Sequence, residues 1–204
     1  MRVTIFDYGA GNLHSLAKAL ESVGASVTVE TDPVHAVDGD VLVLPGVGAF
    51  GAATDRLAAG RAAMREAIIG GLPTLGICLG MQLLFDSSEE GPGAGLGVLP
   101  GRVTRLVASR IPQIGWNAVD FASGERLCDI APLPMAYYAN SYVCRPNEER
   151  AVIAWTTHEG DRFPAAVRSG NTVGVQFHPE KSSSQGVRFL YAFLQDAIAS
   201  RGMG

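Results

Sequence analysis

The sequence predicts an α/β fold with a mostly parallel central sheet flanked by helices and antiparallel additions in its second half. Three observations predict it. Through residues 2–85, short apolar runs alternate with amphipathic stretches, the pattern of successive β-α-β units. Beyond Gly91 the texture changes to short strand-like runs separated by Pro, Gly and Asn. A long amphipathic stretch at 184–199 then returns to helical spacing.

Taken in order, residues 2–6 form a strand and residues 12–23 a helix. In that helix Leu13, Leu16, Ala17, Leu20 and Val23 share one face, and Gly24 supplies the stop. Strands follow at 26–30 and 40–44, then another helix and strand, and 73–77 is a further apolar strand. After Cys78 a helix runs through Met81, Leu84 and Phe85. Apolar strands in such repetition argue for a parallel sheet covered on both faces. The final helix carries Val187, Leu190, Phe193, Leu194 and Ile198 towards the core. Gly91-Pro92-Gly93-Ala94-Gly95 reads as a loop within one domain spanning 1–204, because the strands on both sides are needed for one sheet.

Composition narrows the function classes. At 204 residues, with 47% apolar and 18% charged residues, the chain can bury one sizeable core, which excludes disorder, collagen and coiled coil. A net charge of -4 with scattered Lys and Arg leaves no basic stripe for a nucleic acid backbone. No apolar run approaches the roughly 18 residues of a membrane span, and residues 1–7 read as a strand rather than a signal peptide, so a cytoplasmic protein is expected. Cys78, Cys128 and Cys144 have no C-x-x-C spacing and no His/Cys cluster nearby, so neither disulfides nor a metal site is indicated. A special cysteine here is a nucleophile.

One cysteine has the surroundings for that. Gly76-Ile77-Cys78-Leu79-Gly80 is a G-x-C-x-G run where a strand turns into a helix, the cysteine counterpart of a nucleophile elbow. The glycines permit the tight turn, and the helix start favours thiolate and offers the Leu79 amide to an oxyanion. A lone cysteine between Ile and Leu is ordinarily a small buried hydrophobe, but flanking glycines make no sense in a central strand. Far downstream, Gly174-Val175-Gln176-Phe177 leads into His178-Pro179-Glu180. Residues two apart in an extended segment face the same way, so Glu180 can orient His178 as a general base. Without Cys78 the same residues would read as a solvated turn after an edge strand. The loop Pro45-Gly46-Val47-Gly48-Ala49-Phe50-Gly51 follows a strand and should lie beside Cys78 at the carboxyl ends of the sheet. It lacks the lysine of a phosphate-binding loop, and Gly9-Ala10-Gly11 lacks the third glycine of a dinucleotide loop. His14, His35 and His158 have no paired residue at useful spacing and are read as surface residues.

These residues resemble a known family. Cys-Leu-Gly-Met-Gln at 78–82 with His178-Pro179-Glu180 resembles the class I glutamine amidotransferases, whose Cys-His-Glu triad sits on a flavodoxin-like sheet. Within that class, Asp7-Tyr8-Gly9-Ala10-Gly11-Asn12, Pro45-Gly46-Val47-Gly48, Ile114-Gly115-Trp116-Asn117 and His178-Pro179-Glu180-Lys181-Ser182 resemble the glutaminase subunits of imidazole glycerol phosphate synthases, nearly end to end. The resemblance implies Cys78 as nucleophile, His178 as proton shuttle and Glu180 as its partner. It implies Val47 and Leu79 as oxyanion donors, Val47 after a peptide rearrangement triggered by a partner, and Gly48, Gln82, Glu90, Ser141 and Tyr142 as glutamine-binding residues. Asn12 and Lys181 would face a (β/α)₈-barrel cyclase, forming a heterodimer, and no cofactor is implied. Two positions depart from the family pattern: Asn140 where many members have His, and Gln113-Ile114 where His-Met is common. A glutaminase feeding another acceptor enzyme, a non-catalytic binding subunit and a standalone cysteine hydrolase are the alternatives. Free ammonia is protonated at neutral pH, so a productive glutaminase needs an acceptor partner.

Overall fold

The computed structural model describes residues 1–9 and 13–201. Its elements in chain order are β1 (Arg2–Phe6), α1 (His14–Ser22), β2 (Ser26–Glu30), β3 (Val41–Leu44), α2 (Phe50–Leu57), α3 (Arg61–Ile69) and β4 (Thr74–Ile77). Next come α4 (Leu79–Leu83), β5 (Ser87–Ser88), β6 (Gly101–Arg105), β7 (Gln113–Ala118), β8 (Asp120–Phe121) and α5 (Arg126–Ile130). The remainder is β9 (Met135–Asn140), β10 (Tyr142–Pro146), β11 (Val152–His158), β12 (Asp161–Ser169), β13 (Thr172–Val175) and α6 (Ser183–Arg201).

Eight strands form the central sheet in the order β2-β1-β3-β4-β13-β12-β11-β8. The five from β2 to β13 run parallel, and β12, β11 and β8 extend them antiparallel. Alternation of side chains sends each strand into two cores. Val3, Ile5, Val41, Val43, Leu75, Ile77, Val173 and Val175 pack with Leu16 and Leu20 of α1 and with Phe189, Leu190 and Phe193 of α6. Phe6, Leu42 and Leu44 face the other way, onto Phe50 and Leu57 of α2, Met64 and Ile68 of α3, and Leu79 and Met81 of α4. Strands β3, β4 and β13 are buried at every residue, as strands covered on both faces must be. Two small sheets, β10-β6-β5 and β7-β9, complete the second half.

Register is what prepares the site. Val175 pairs with Ile77 and Leu44 with Gly76, so the strand ends of β3, β4 and β13 come level at one edge. The next residues along β4 and β13, Cys78 and Gln176, therefore emerge side by side. In open sheets this carboxyl edge is where ligands bind.

Several expectations need correcting. Between β3 and β4 the chain forms two helices, where the sequence suggested one helix and a strand; Met64 and Ile68 lie four apart and share the buried face of α3. The helix after Cys78 stops at Leu83 instead of running through Phe85, because Leu84 caps it and Phe85 turns with it. In α6 the buried residues include Phe189, Leu190, Phe193, Leu194 and Ala197, while Val187 is half-buried and Ile198 is exposed. Among the described residues no helix is long and apolar enough to cross a membrane.

Candidate active site

The elbow is built by a strained residue between two crowded ones. Cys78 has φ 48° and ψ −104°, a left-handed conformation on a residue with a side chain. Its backbone N–H donates to the Val175 carbonyl at 2.7 Å, which ties the turn to β13. The flanking glycines do not supply the positive φ; they supply closeness. A Cβ on Gly76 would lie 2.6 Å from the Gly80 carbonyl oxygen, and one on Gly80 would run into the Leu44 carbonyl. Helix α4 thus begins directly against β3 and β4, with Leu79 at its first position and its N–H unclaimed by the helix.

On the neighbouring strand end, His178 is fixed from several sides. Its N–H donates to the Tyr137 carbonyl at 2.8 Å. Its own carbonyl accepts from Ser182 Oγ at 2.7 Å, and that oxygen accepts from Tyr137 N–H at 2.9 Å. Pro179–Lys181 is a 3-10 turn, so Glu180 reaches the ring by folding back, not by the extended alternation expected from sequence. Glu180 Oε1 lies 2.9 Å from His178 Nδ1, and the two side chains are 9% and 2% exposed. Burial pushes the imidazole towards its neutral form, but hydrogen bonds to Cys78 and Glu180, and the charges behind them, outweigh it and raise its pKa to about 9.

Around the sulfur stand one ring, one amide and one carbonyl. The imidazole is close enough for the sulfur to favour its charged form, Gln176 Nε2–H donates to Sγ at 3.4 Å, and the Ala139 carbonyl lies 3.9 Å away. Sequence reasoning missed Gln176. The available signal was a fully polar side chain in the otherwise apolar run into His178.

A pocket of about 290 Å³ opens over Cys78. It is lined by ten residues singled out from sequence: Val47, Gly48, Cys78, Leu79, Gln82, Glu90, Ser141, Tyr142, His178 and Lys181, together with Gly46, Ala139 and Asn140. Glu180 lies outside it, in a separate recess of about 140 Å³ that also reaches Leu13, Val47 and Lys181. Asn12 lies outside the described residues. Gly46 must be glycine, since a Cβ there would sit 2.8 Å from His178 Cε1. Glu90 Oε2 accepts from the Phe50 N–H at 2.9 Å. Gln82 Nε2 and Asn140 Nδ2 each donate to the Tyr142 carbonyl at 3.2 Å, pinning the segment that forms the far wall. The two departures from the family pattern prove to be one feature: Gln113 and Asn140 pair directly across β7 and β9, both buried.

The other residues weighed from sequence lie elsewhere. His14 and His35 are exposed, and His158 is half-buried with Nε2 3.1 Å from the Arg110 carbonyl. His35 does have a partner at helical spacing, Asp38 at 3.4 Å, with both side chains exposed. Cys144 is buried and Cys128 partly so, neither in the pocket. Among the described residues no group of three or more His, Cys, Asp or Glu could hold a metal.

A thiol beside a carboxylate-backed imidazole, at the mouth of a pocket with polar walls, can carry out acyl transfer. Comparison with known proteins points the same way. A family model of class-I glutamine amidotransferases matches residues 4–197. An imidazole glycerol phosphate synthase subunit HisH of Synechocystis sp. is 43% identical, the match covering 97% of this chain and 98% of that protein. The chloroplastic imidazole glycerol phosphate synthase hisHF of Arabidopsis thaliana is 44% identical over 96% of this chain, a stretch making up 34% of that longer protein. Among solved structures, one of a glutamine amidotransferase superposes with a TM-score of 0.75 at 22% identity, over 96% of this chain and 98% of that one, a likeness of fold.

Proposed function

The chain belongs to the class-I glutamine amidotransferases, and on that premise we propose that it is the glutaminase subunit of an imidazole glycerol phosphate synthase, releasing ammonia from glutamine for histidine biosynthesis. The observation that carries the chemistry is the contact chain from Cys78 through His178 to Glu180, drawn from positions about a hundred residues apart onto level strand ends. Residues 1–204 act as one glutamine amidotransferase domain, a reading supported by the central sheet, which draws strands from both halves of the chain, β1 to β4 and β11 to β13.

In this reading the pocket takes glutamine with its side-chain amide over Sγ. The Cys78 thiolate attacks the amide carbon, forming a C–S bond, and the oxygen takes up the negative charge beside the Val47 and Leu79 amides. As the C–N bond breaks, His178 gives its proton to the departing nitrogen, which leaves as ammonia. The neutral ring then takes a proton from water as that water attacks the γ-glutamyl thioester. Glutamate departs, and the thiolate and imidazolium are restored. A ring whose pKa is raised to about 9 is charged at neutral pH and suited to the first transfer. Glu180 holds it in place. Gly48, Gln82, Glu90, Ser141 and Tyr142 hold the rest of the substrate, with Gln82 acting in part through the Tyr142 carbonyl.

Ammonia freed into water would be protonated and lost as a nucleophile, so an acceptor must sit against this chain. The proposed partner is a (β/α)₈-barrel cyclase in a heterodimer, in the cytoplasm, with Asn12 and Lys181 at its interface. Supporting this, the Arabidopsis relative is a synthase of which this chain matches only about a third, leaving length for the acceptor. The test is glutamate release from glutamine by wild type and Cys78→Ala, each alone and mixed with a barrel cyclase and its nucleotide substrate. Strong activation by the cyclase, lost in Cys78→Ala, is the expected result. Glutaminase activity indifferent to the cyclase would discard the histidine assignment, and none under any condition would discard catalysis.

A further inference from the structure

Gln176 stands one position beyond β13 and is completely buried, with its backbone N–H continuing the ladder to the Ala165 carbonyl at 2.9 Å. Its side chain does not line the pocket and so touches no substrate. It points instead at the nucleophile, with Nε2 3.4 Å from Cys78 Sγ, while its Oε1 is buried without a hydrogen-bond partner among the described residues. A buried amide left half unsatisfied is costly, and an apolar side chain would fit an apolar strand end without that cost. Register explains why it can reach: Val175 and Ile77 are paired, so the two residues that follow them are neighbours.

We propose that Gln176 is a positioning residue for the glutaminase reaction, its amide N–H donating to the Cys78 sulfur to favour the thiolate and to hold it facing the pocket. The inference rests on the reading of Cys78 as nucleophile. An N–H donor bonds more strongly to a charged acceptor than to a neutral one, so its presence shifts the thiol–thiolate balance towards the ion. The imidazole and the amide come from the same strand end, two residues apart; across from them the Ala139 carbonyl, 3.9 Å from the sulfur, can accept only from the thiol and so opposes the ion. The other titratable groups close enough to feel the sulfur's charge are His178 with Glu180, Tyr8 and Cys144. Tyr8 and Cys144 are buried and raised well above their ordinary values, so they stay neutral across the working range and cannot supply the same effect.

The test reads the thiol directly, without glutamine. The rate of Cys78 alkylation by iodoacetamide is followed by peptide mass spectrometry from acid to neutral pH, in wild type and in Gln176→Met, which keeps the length and removes the donor. The acid limb in Gln176→Met is expected to move to higher pH, so that at a pH on that limb the rate falls roughly 5- to 10-fold. A Gln176→Met profile superimposable on wild type would overturn the proposal. If Gln176→Met does not fold, wild type alone decides. The Gln176 side-chain amide resonance should titrate with the midpoint of Cys78 alkylation, and a resonance flat through that midpoint would overturn it. An alkylation shift in a protein that never turns over glutamine would instead sink the glutaminase reading and leave the contact standing.

Discussion

At position 178 two effects pull one imidazole in opposite directions. Burial disfavours its charge, while the Cys78 sulfur and the Glu180 carboxylate favour it, and the balance lies near 9. Removing the sulfur leaves burial with one opponent fewer. In Cys78→Ala the ring is expected to titrate at least roughly one unit lower, followed by the NMR shift of its Cε1 proton against pH; an unmoved midpoint would mean the sulfur is not coupled to the ring. At this scale the sequence was informative wherever a residue broke a local rule. Cysteine between glycines and histidine two before glutamate both stood out. Gln176 also broke the pattern, as a polar side chain in an apolar run, but what it touches follows from the pairing of Val175 with Ile77, and a pairing between residues nearly a hundred apart leaves no local mark.

Elements carry the second lesson. The strand at Arg2–Phe6 falls where its apolar run puts it, since a covered strand needs little more than that, and Ser26–Glu30, an edge strand with no buried residue, falls where its alternating valines put it. The two helices before β4 were harder to foresee, because the break at Gly60 is dictated by close packing: a Cβ there would lie 2.8 Å from Pro33 Cβ. The glycines of the elbow were read as permitting the tight turn, and the structure adds how: Gly76 lets the chain close onto Gly80, and Gly80 lets α4 close onto β3. Gly80→Ala is therefore expected to destabilise the fold by about 1–3 kcal/mol or more, read as a lower urea midpoint, even though alanine favours helices. A midpoint equal to wild type or above it would show that α4 can lift from β3 without cost. The pair Gln113 and Asn140 is of the same kind: two separate oddities of sequence that β7 and β9 make into neighbours.

For the molecule as a whole, the site depends on the core behind it. Phe177 follows Gln176, precedes His178 and is fully buried, its ring 5.5 Å from that of Phe189 in α6 and 6.0 Å from that of Tyr138 in β9. It joins the terminal helix, the central sheet and the small β7-β9 sheet at one point. Phe177→Ala should cost about 3–5 kcal/mol of stability, measured by denaturant titration, and should depress glutamine turnover in the fraction that remains folded. Normal turnover in that fraction would show that His178 does not need this packing. The mixed architecture was legible from the change in texture after Gly91, whereas the order that places β13 beside β4 is a property of the assembled sheet alone. The backbone at Cys78 has a consequence for evolution. A left-handed conformation forced on a residue with a side chain costs about 1–3 kcal/mol, which glycine at that position would largely relieve. A population of variants bred only to survive heating would drift towards glycine at residue 78 and lose the reaction, so continued demand for the product is what keeps cysteine at this elbow.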